Sequence, residues 1–263
     1  MYRIQALSCL MLAVLLFSSC GTNSAVNIYS VEEDVQLGQT FLEQIQSSPQ
    51  EYIILDKTEH PELYGRIRGM VDTIVNSGAV RNRDVFPWEL RILHDDSVLN
   101  AFCTPGGYLY VYTGLIRFLD SEDQLAGVLG HEIAHADLRH GTEQLTKQFG
   151  IGLLVQYVAG ESAVLGNIAQ SIIGLAFSRS DETEADRMSV TYLSKTPYDP
   201  RGVSRFFEKM QAKGETMGSL VFLSTHPNPE NRVADIHATW RSMGKPEGRS
   251  DTAAYEAIKA LLP

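Results

Sequence analysis

This sequence is poor in cysteine and in basic side chains, and it lacks any long apolar run. Three cysteines occur in 263 residues, and 22 lysines and arginines stand against 32 acidic residues, for a formal net charge of −10. The acidic balance excludes nucleic acid as a partner, because phosphate backbones attract basic surfaces. The shortage of cysteine excludes a disulfide framework, so the fold depends on its apolar core and on any metal that it binds.

The apolar run nearest the N-terminus covers residues 10–17, a length typical of a signal-peptide core and too short to span a bilayer. It leads into two serines and Cys20, an order that resembles a bacterial lipobox, in which the cysteine is acylated. Phe17 stands where leucine is usual, which keeps an ordinary secretory signal open as the alternative. We predict a lipoprotein-type signal peptide over residues 1–19 and lipidation of Cys20.

The residues after Cys20 determine the predicted location and the domain organisation. Gly21 is not the aspartate that retains a lipoprotein in an inner membrane, so we predict a lipid anchor in the outer membrane, facing the periplasm. Residues 20–29, small and polar for the most part, are predicted to be a tether, and residues 30–263 a single domain. Cys103 then has no cysteine partner, and we interpret it as a small apolar filler.

Apolar spacing predicts an α+β fold that is predominantly helical. Residues three and four apart are apolar over about 31–45 and 61–77, and another helix is predicted from residue 121. The segment 149–178 is rich in glycine and small apolar residues, and we predict a buried or lid-like pair of helices there, with membrane contact as the weaker alternative. Three strand-like stretches are predicted to form a small antiparallel sheet: residues 88–93, 99–103 and 108–113.

A metal-binding motif, His-Glu-Ile-Ala-His at residues 131–135, lies within the helix predicted from residue 121. Positions i and i+4 are about 40° apart around a helix, so His131 and His135 can converge on one ion. Glu132 is turned about 100° from His131, beside the position where water would approach the ion, and suits a general base. His140 would lie on the opposite face if this helix continued, and is interpreted as structural.

A second acidic cluster, further along the chain, offers the third protein ligand that a catalytic zinc requires. Glu182 and Asp186 share a helix face, so we assign Glu182 to the metal and Asp186 to the outer ring nitrogen of His131. Glu184 points about 200° away from Glu182 and is kept as the alternative ligand. Asp181 is interpreted as a solvated acid at a helix N-terminus.

These motifs occur in the order found in a known family. The sequence resembles the CAAX-prenyl-protease-like and HtpX-like zinc metallopeptidases, and within them the periplasmic branch of BepA-like and LoiP-like proteins. One departure is Ser189, where glycine is usual, and we expect it to affect helix packing and not the ligands. The resemblance extends over roughly residues 30–243 and is carried by Asn100-Ala101-Phe102, Pro105-Gly106-Gly107, the motif at 131–135, Ser178-Arg179, Glu182 with Asp186, His226-Pro227 and Arg232.

The resemblance implies a gluzincin-type domain with one zinc ion on the three assigned ligands and with Glu132 as the base. It also implies that His226 either assists transition-state stabilisation or blocks the metal as a fourth ligand, although its local sequence indicates an ordinary loop histidine before a proline. Arg232, by default a surface residue, becomes a candidate for binding the oxyanion or a peptide carboxylate.

The predicted function is a zinc-dependent endopeptidase of the bacterial cell envelope that degrades misfolded or unassembled envelope proteins. Asn100, Ala101 and Phe102 lie in a predicted edge strand, where an extended peptide could pair through its main chain with little sequence demand. The main alternative is a chaperone-like assembly factor whose zinc site is held largely inactive by His226. A weaker alternative is a purely structural zinc site.

Overall fold

The computed structural model describes residues 27–158, 174–214, 217–227 and 231–263. The predicted signal peptide, Cys20 and most of the tether lie outside these residues, as does the stretch 159–173 of the predicted helical pair. The described residues form helices around one three-stranded sheet, which confirms the prediction of a predominantly helical α+β fold. Among these residues we find no helix that is both long enough and apolar enough to cross a bilayer.

Local sequence signals account for where several helices begin. Ser30 and Glu33 form a capping box before α1, and Pro61 stands at the first position of α2, where its fixed φ suits a helix. The strands are β1 (Leu90–Leu93), β2 (Ala101–Thr104) and β3 (Tyr108–Tyr112). The helices are α1 (Val31–Gln46), α2 (Pro61–Val75), α3 (Thr113–Phe118), α4 (Glu122–Asp137), α5 (His140–Val158), α6 (Arg179–Leu193), α7 (Gly202–Lys213), α8 (Met217–Thr225), α9 (Arg232–Ser242) and α10 (Thr252–Lys259).

The sheet is mixed, where the sequence predicted an antiparallel one. Its strand order is β1-β3-β2, with β2 antiparallel to β3 and β1 parallel to β3. The chain reverses direction twice between β1 and β3, so these two strands run the same way, and it is β3 that pairs with β1. Strand β2 is consequently an edge strand of this sheet.

The sheet separates two apolar clusters. Leu109 and Val111 of β3 belong to the main core, which also contains buried residues of α2, α4, α6 and α7. The alternate residues Tyr108 and Tyr110 belong to a second cluster built on α1. This alternation is expected of a strand buried on both faces. The N-terminal helix is therefore packed on one side of the sheet and the motif helix on the other.

Helix α4 lies at the centre of the fold, and every one of its residues is buried. It packs most extensively against α6 and α7. The approach of α7 requires glycine at position 127, because a Cβ there would lie 2.1 Å from the backbone nitrogen of Val203. On the side of α6, Ser189 donates a hydrogen bond of 2.9 Å to the Gly127 carbonyl and lies against Gly130, so it takes part in helix packing.

Candidate metal centre

The two motif histidines face each other across one turn of α4. The Nε2 atoms of His131 and His135 are 3.0 Å apart, and both side chains are buried. Glu182, in the first turn of α6, brings one carboxylate oxygen to 3.3 Å from Nε2 of His135 and the other to 3.5 Å from Nε2 of His131. The three residues assigned to the metal from sequence are thus brought together, with their donor atoms converging.

His226 adds a fourth donor to this cluster. It follows directly after α8, and its Nδ1 lies 3.0 Å from Oε1 of Glu182 and 3.4 Å from Nε2 of His131. One ligand atom from each of the four residues lies within 4.8 Å of the others, and all four side chains are buried. A set of imidazole nitrogens and a carboxylate oxygen this close could hold one metal ion.

Glu132 stands beside the cluster without joining it. Its side chain is 1% exposed, and neither carboxylate oxygen has a hydrogen-bond partner among the described residues. Nε2 of His226 lies 3.5 Å from Oε1 of Glu132. Burial of a carboxylate without a hydrogen-bond partner costs folding free energy, so this arrangement indicates that Glu132 has a functional role at the site.

The protonation preferences differ from one group to the next. Burial opposes ionisation of Glu182, but attraction and hydrogen bonds from three histidines outweigh it and hold its pKa well below the ordinary range. Burial raises the pKa of Glu132 and lowers that of His135. Burial also opposes protonation of His131, but the carboxylates of Asp186 and Glu182 raise its pKa to about 9. A cation that binds His131 must displace that proton, so metal affinity falls as the pH falls.

Asp186 and Arg232 form the outer support of His131. Oδ1 of Asp186 lies 2.9 Å from Nδ1 of His131, the contact expected from the shared face of Glu182 and Asp186. Arg232, the first residue of α9, holds Asp186 through two hydrogen bonds of 2.6 and 2.9 Å and also lies 2.9 Å from Oε2 of Glu182. Burial opposes ionisation of Asp186, but Arg232 and His131 outweigh it and lower the pKa of this carboxyl.

Arg232 is therefore a buried residue, not the surface arginine that its local sequence indicates by default. It is 3% exposed, and its guanidinium carbon lies 3.9 Å from the ring centroid of Phe207. Nε and Nη2 bind the two carboxylates, whereas Nη1 has no hydrogen-bond partner among the described residues. An oxyanion or a peptide carboxylate could be bound only through Nη1, because the other two nitrogens are already engaged.

The other acidic residues of the second cluster do not reach the donor atoms. Glu184 is 45% exposed and contacts Arg187, which removes it from the metal cluster and disfavours it as the alternative ligand. Asp181 is buried, not solvated as predicted. It accepts hydrogen bonds from the backbone N–H of Ser178 and from Gln144, so it serves as a helix cap.

Two neighbours of His135 were not found from sequence. Its ring stacks on Phe177, with ring centroids 3.9 Å apart and an interplanar angle of 22°. Its Nδ1 lies 3.0 Å from Nδ1 of His140. The sequence argument placed His140 on a continued helix, but α4 ends at Asp137 and His140 begins α5. No local motif signals the stacking of Phe177, which comes from a separate segment before α6.

The predicted substrate strand lies next to the motif helix. Ala101 and Phe102 are in β2, the edge strand, and Asn100 directly precedes it. Strand β2 packs against α4. Cys103 of the same strand is partly buried against the main core and is a free thiol, in keeping with its interpretation as a filler.

Two histidines and a glutamate on one helix, with an acidic donor on a second helix, define a gluzincin-type metallopeptidase site. The chain belongs to peptidase family M48, which matches residues 61–240. It is similar to the mitochondrial metalloendopeptidase OMA1 of Schizosaccharomyces pombe, with 34% identity over 163 residues that cover 60% of this chain and 48% of that protein.

Bacterial relatives match a larger part of the chain. The beta-barrel assembly-enhancing protease of Yersinia pestis is 27% identical over 265 residues, which cover 94% of this chain and 51% of the relative. The protein of the same name from Escherichia coli K12 is 29% identical over 228 residues, which cover 81% of this chain and 45% of the relative. The chain thus spans about half the length of these relatives.

Proposed function

We propose that this chain is a zinc-dependent endopeptidase with His131, His135 and Glu182 as the metal ligands and Glu132 as the general base. The observation that carries the proposal is the buried donor cluster with a carboxylate at its side that has no hydrogen-bond partner in the described part of the chain. A structural zinc site would need no such carboxylate. Family membership supports the same reaction class.

The donor set fits zinc in type and in spacing. With bonds of about 2.0 to 2.2 Å, the donors of a tetrahedral zinc site lie about 3.3 to 3.6 Å apart. The closest approaches among the three assigned ligands are 3.0, 3.3 and 3.5 Å, and when His226 is included one donor atom from each residue lies within 4.8 Å of the others. Zinc held there would polarise the scissile carbonyl and lower the pKa of a bound water.

Substrate alignment, proton transfer and support of the metal ligands would be performed by residues of the chain. Strand β2 would align an extended substrate through its outer main-chain groups, next to α4. Glu132 would take the proton from the attacking water and pass it to the leaving amine. Its burial suits this role, because the raised pKa makes the carboxylate a better proton acceptor. Asp186 would hold His131 in the tautomer that leaves Nε2 free for the metal.

His226 favours a second candidate function. Its Nδ1 lies within ligand distance of the other donors, so a zinc ion bound there would have four protein ligands and no open position. In that state the protein would be an assembly factor that binds unfolded polypeptide and rarely cleaves it. For hydrolysis, the imidazole of His226 would have to leave the cluster, and it could then bind the developing oxyanion.

The experiment is zinc content together with casein hydrolysis by the wild type and by three variants. Glu132→Gln should retain zinc and lose about 100-fold or more of the activity, since it removes a general base. Glu208→Gln, the same chemical change at a half-exposed residue of α7, is the matched control and should be fully active. His226→Ala should be more active than the wild type if His226 blocks the metal. Bound zinc without hydrolysis by either the wild type or His226→Ala would favour the assembly factor.

For substrate and location, we propose unassembled proteins of a bacterial cell envelope and an outer-membrane lipid anchor at Cys20. The first rests on the names of the bacterial relatives and the second on the order of residues around Cys20. Labelling of cells with a fatty-acid probe tests the anchor. Cys20→Ala should lose the label and Cys103→Ala, the matched control, should keep it; a label that persists in Cys20→Ala contradicts the anchor.

A further inference from the structure

The break between α4 and α5 places His140 in contact with His135, one of the proposed zinc ligands. α4 ends at Asp137, and Arg139 adopts the left-handed backbone conformation with a φ of 63°. The helix is interrupted there, and His140, the first residue of α5, contacts His135 of α4. Its Nδ1 then lies 3.0 Å from Nδ1 of His135, and the His140 side chain is almost fully buried.

The contact between the two histidines involves the nitrogen of His135 that does not face the donor cluster. The Nε2 atom of His135 faces the donor cluster, at 3.0 Å from His131 and 3.3 Å from Glu182, so its Nδ1 is the nitrogen that points away from the metal. A neutral imidazole that offers Nε2 to a cation carries its proton on Nδ1. The His135 Nδ1–H must therefore donate to His140, whose own Nδ1 accepts and whose proton is on Nε2.

The second nitrogen of His140 has a neighbour suited to that tautomer. Nε2 of His140 lies 3.7 Å from a carboxylate oxygen of Glu184, on α6. An N–H that faces a carboxylate is favoured electrostatically over a lone pair in the same place. His140 is thereby oriented with its acceptor atom towards His135.

The two ligand histidines thus have different kinds of support. His131 donates to the carboxylate of Asp186, which is charged and itself held by Arg232. His135 instead faces a neutral imidazole and stacks on Phe177. Without the Nδ1 acceptor, the ring could still stack on Phe177, but it would lose the contact that selects the tautomer with Nε2 free.

We propose that His140 is a positioning residue for the metal site, which accepts the Nδ1–H of His135 and so presents Nε2 of that ring to the ion. The proposal rests on the proposed function only in that the cluster binds zinc. Loss of an outer partner of a metal-binding histidine typically weakens metal affinity about 10-fold to 100-fold.

The test is the zinc dissociation constant of the full chain, measured by competition with a chromophoric chelator, for the wild type and four variants. His140→Leu removes the acceptor and should weaken zinc binding about 10-fold to 100-fold. His140→Asn places an amide oxygen near the position of Nδ1 and should keep most of the affinity. His140→Gln places its amide near the position of Nε2 and should behave like His140→Leu. His237→Leu, at a histidine that contacts Glu208 on α7, is the control and should bind zinc as the wild type does.

The comparison of Asn with Gln decides the proposal even if His140→Leu does not fold, because both are polar and of moderate size. A role confined to packing would weaken both equally, and that result, or wild-type affinity in the Leu or Gln variants, would overturn the proposal. The absorption spectrum of the cobalt-substituted protein should change in the Gln variant and not in the Asn variant. If the wild type and His226→Ala both bind zinc but neither cleaves casein, the proposed function is refuted, while the affinities still decide the role of His140.

Discussion

Replacement of Arg139 by glycine tests the ion pair that joins the N-terminal helix to the end of the motif helix. Nε of Arg139 donates to Asp34 of α1 at 2.6 Å, and Nη2 donates to the same carboxylate at 3.0 Å and to the carbonyls of Tyr29 and Ser30. The Asp34 side chain is 1% exposed and that of Arg139 is 21% exposed. Arg139→Gly removes the cation and leaves the buried carboxylate without it.

Two opposing effects determine the magnitude of the change. Loss of one partner of a buried ion pair costs about 3 to 5 kcal/mol, because the other charge stays buried without compensation. Glycine relieves the left-handed backbone of residue 139, which is worth about 1 to 2 kcal/mol. The variant should therefore be less stable than the wild type by about 1 to 4 kcal/mol near pH 8.

The loss should depend on pH with a definite sign. Burial raises the pKa of Asp34 above its unfolded value although Arg139 opposes this, so stability falls as the pH rises between the unfolded and folded values. Without Arg139 the pKa of Asp34 in the folded state rises further, so the pH range over which stability falls extends to higher pH. The deficit of Arg139→Gly should therefore grow from pH 4 to pH 8 and shrink as Asp34 becomes protonated.

Urea unfolding at pH 4, 6 and 8 measures the deficit, and a double-mutant cycle identifies its cause. In the wild type, Asp34→Asn has two opposing effects, because it removes a buried charge and also the ionic partner of Arg139. The same change should stabilise Arg139→Gly, because it removes the unpaired charge. A deficit that is independent of pH, or an Asp34→Asn effect that is no more favourable in Arg139→Gly than in the wild type, would refute the reasoning.

Three further predictions follow from the packing and the metal site. Gly127→Ala should lower the free energy of unfolding in urea by about 1 to 3 kcal/mol, because the methyl group overlaps the backbone of Val203, and an unchanged midpoint would contradict the close approach of α7. Arg232→Met should lower the free energy of unfolding of the metal-free protein by about 3 to 5 kcal/mol, because Asp186 and Glu182 lose their buried cation. A loss below about 1 kcal/mol in urea unfolding, as for a surface ion pair, would contradict this. Removal of zinc by a chelator should lower the melting temperature, since zinc at a thousandfold excess over its dissociation constant adds about 4 kcal/mol of stability. An unchanged melting temperature would mean that the cluster does not bind zinc.

Much of the candidate site followed from the sequence because its geometry is local to single helices. The spacing of His131 and His135 makes them share a face, and the same argument paired Glu182 with Asp186 and set Glu184 apart. In the structure, His131 faces His135, and Glu182 and Asp186 both contact His131, as the helical periodicity predicts. His226 and Arg232 lie in other segments, and only the resemblance to known peptidases marked them as candidates for the active site.

The sequence by itself determined the predominantly helical fold and the helix faces that carry the donors, because capping and apolar spacing act over a few residues. Tertiary structure alone decided the parallel pairing of β1 with β3, since strand order depends on partners distant in the chain. It also decided the end of α4 at Asp137. The left-handed residue that follows is an arginine, which has no intrinsic preference for that conformation, and its ion pair with a distant helix accompanies the turn. The contact between His135 and His140 depends on that turn, and for this reason no spacing rule could predict it.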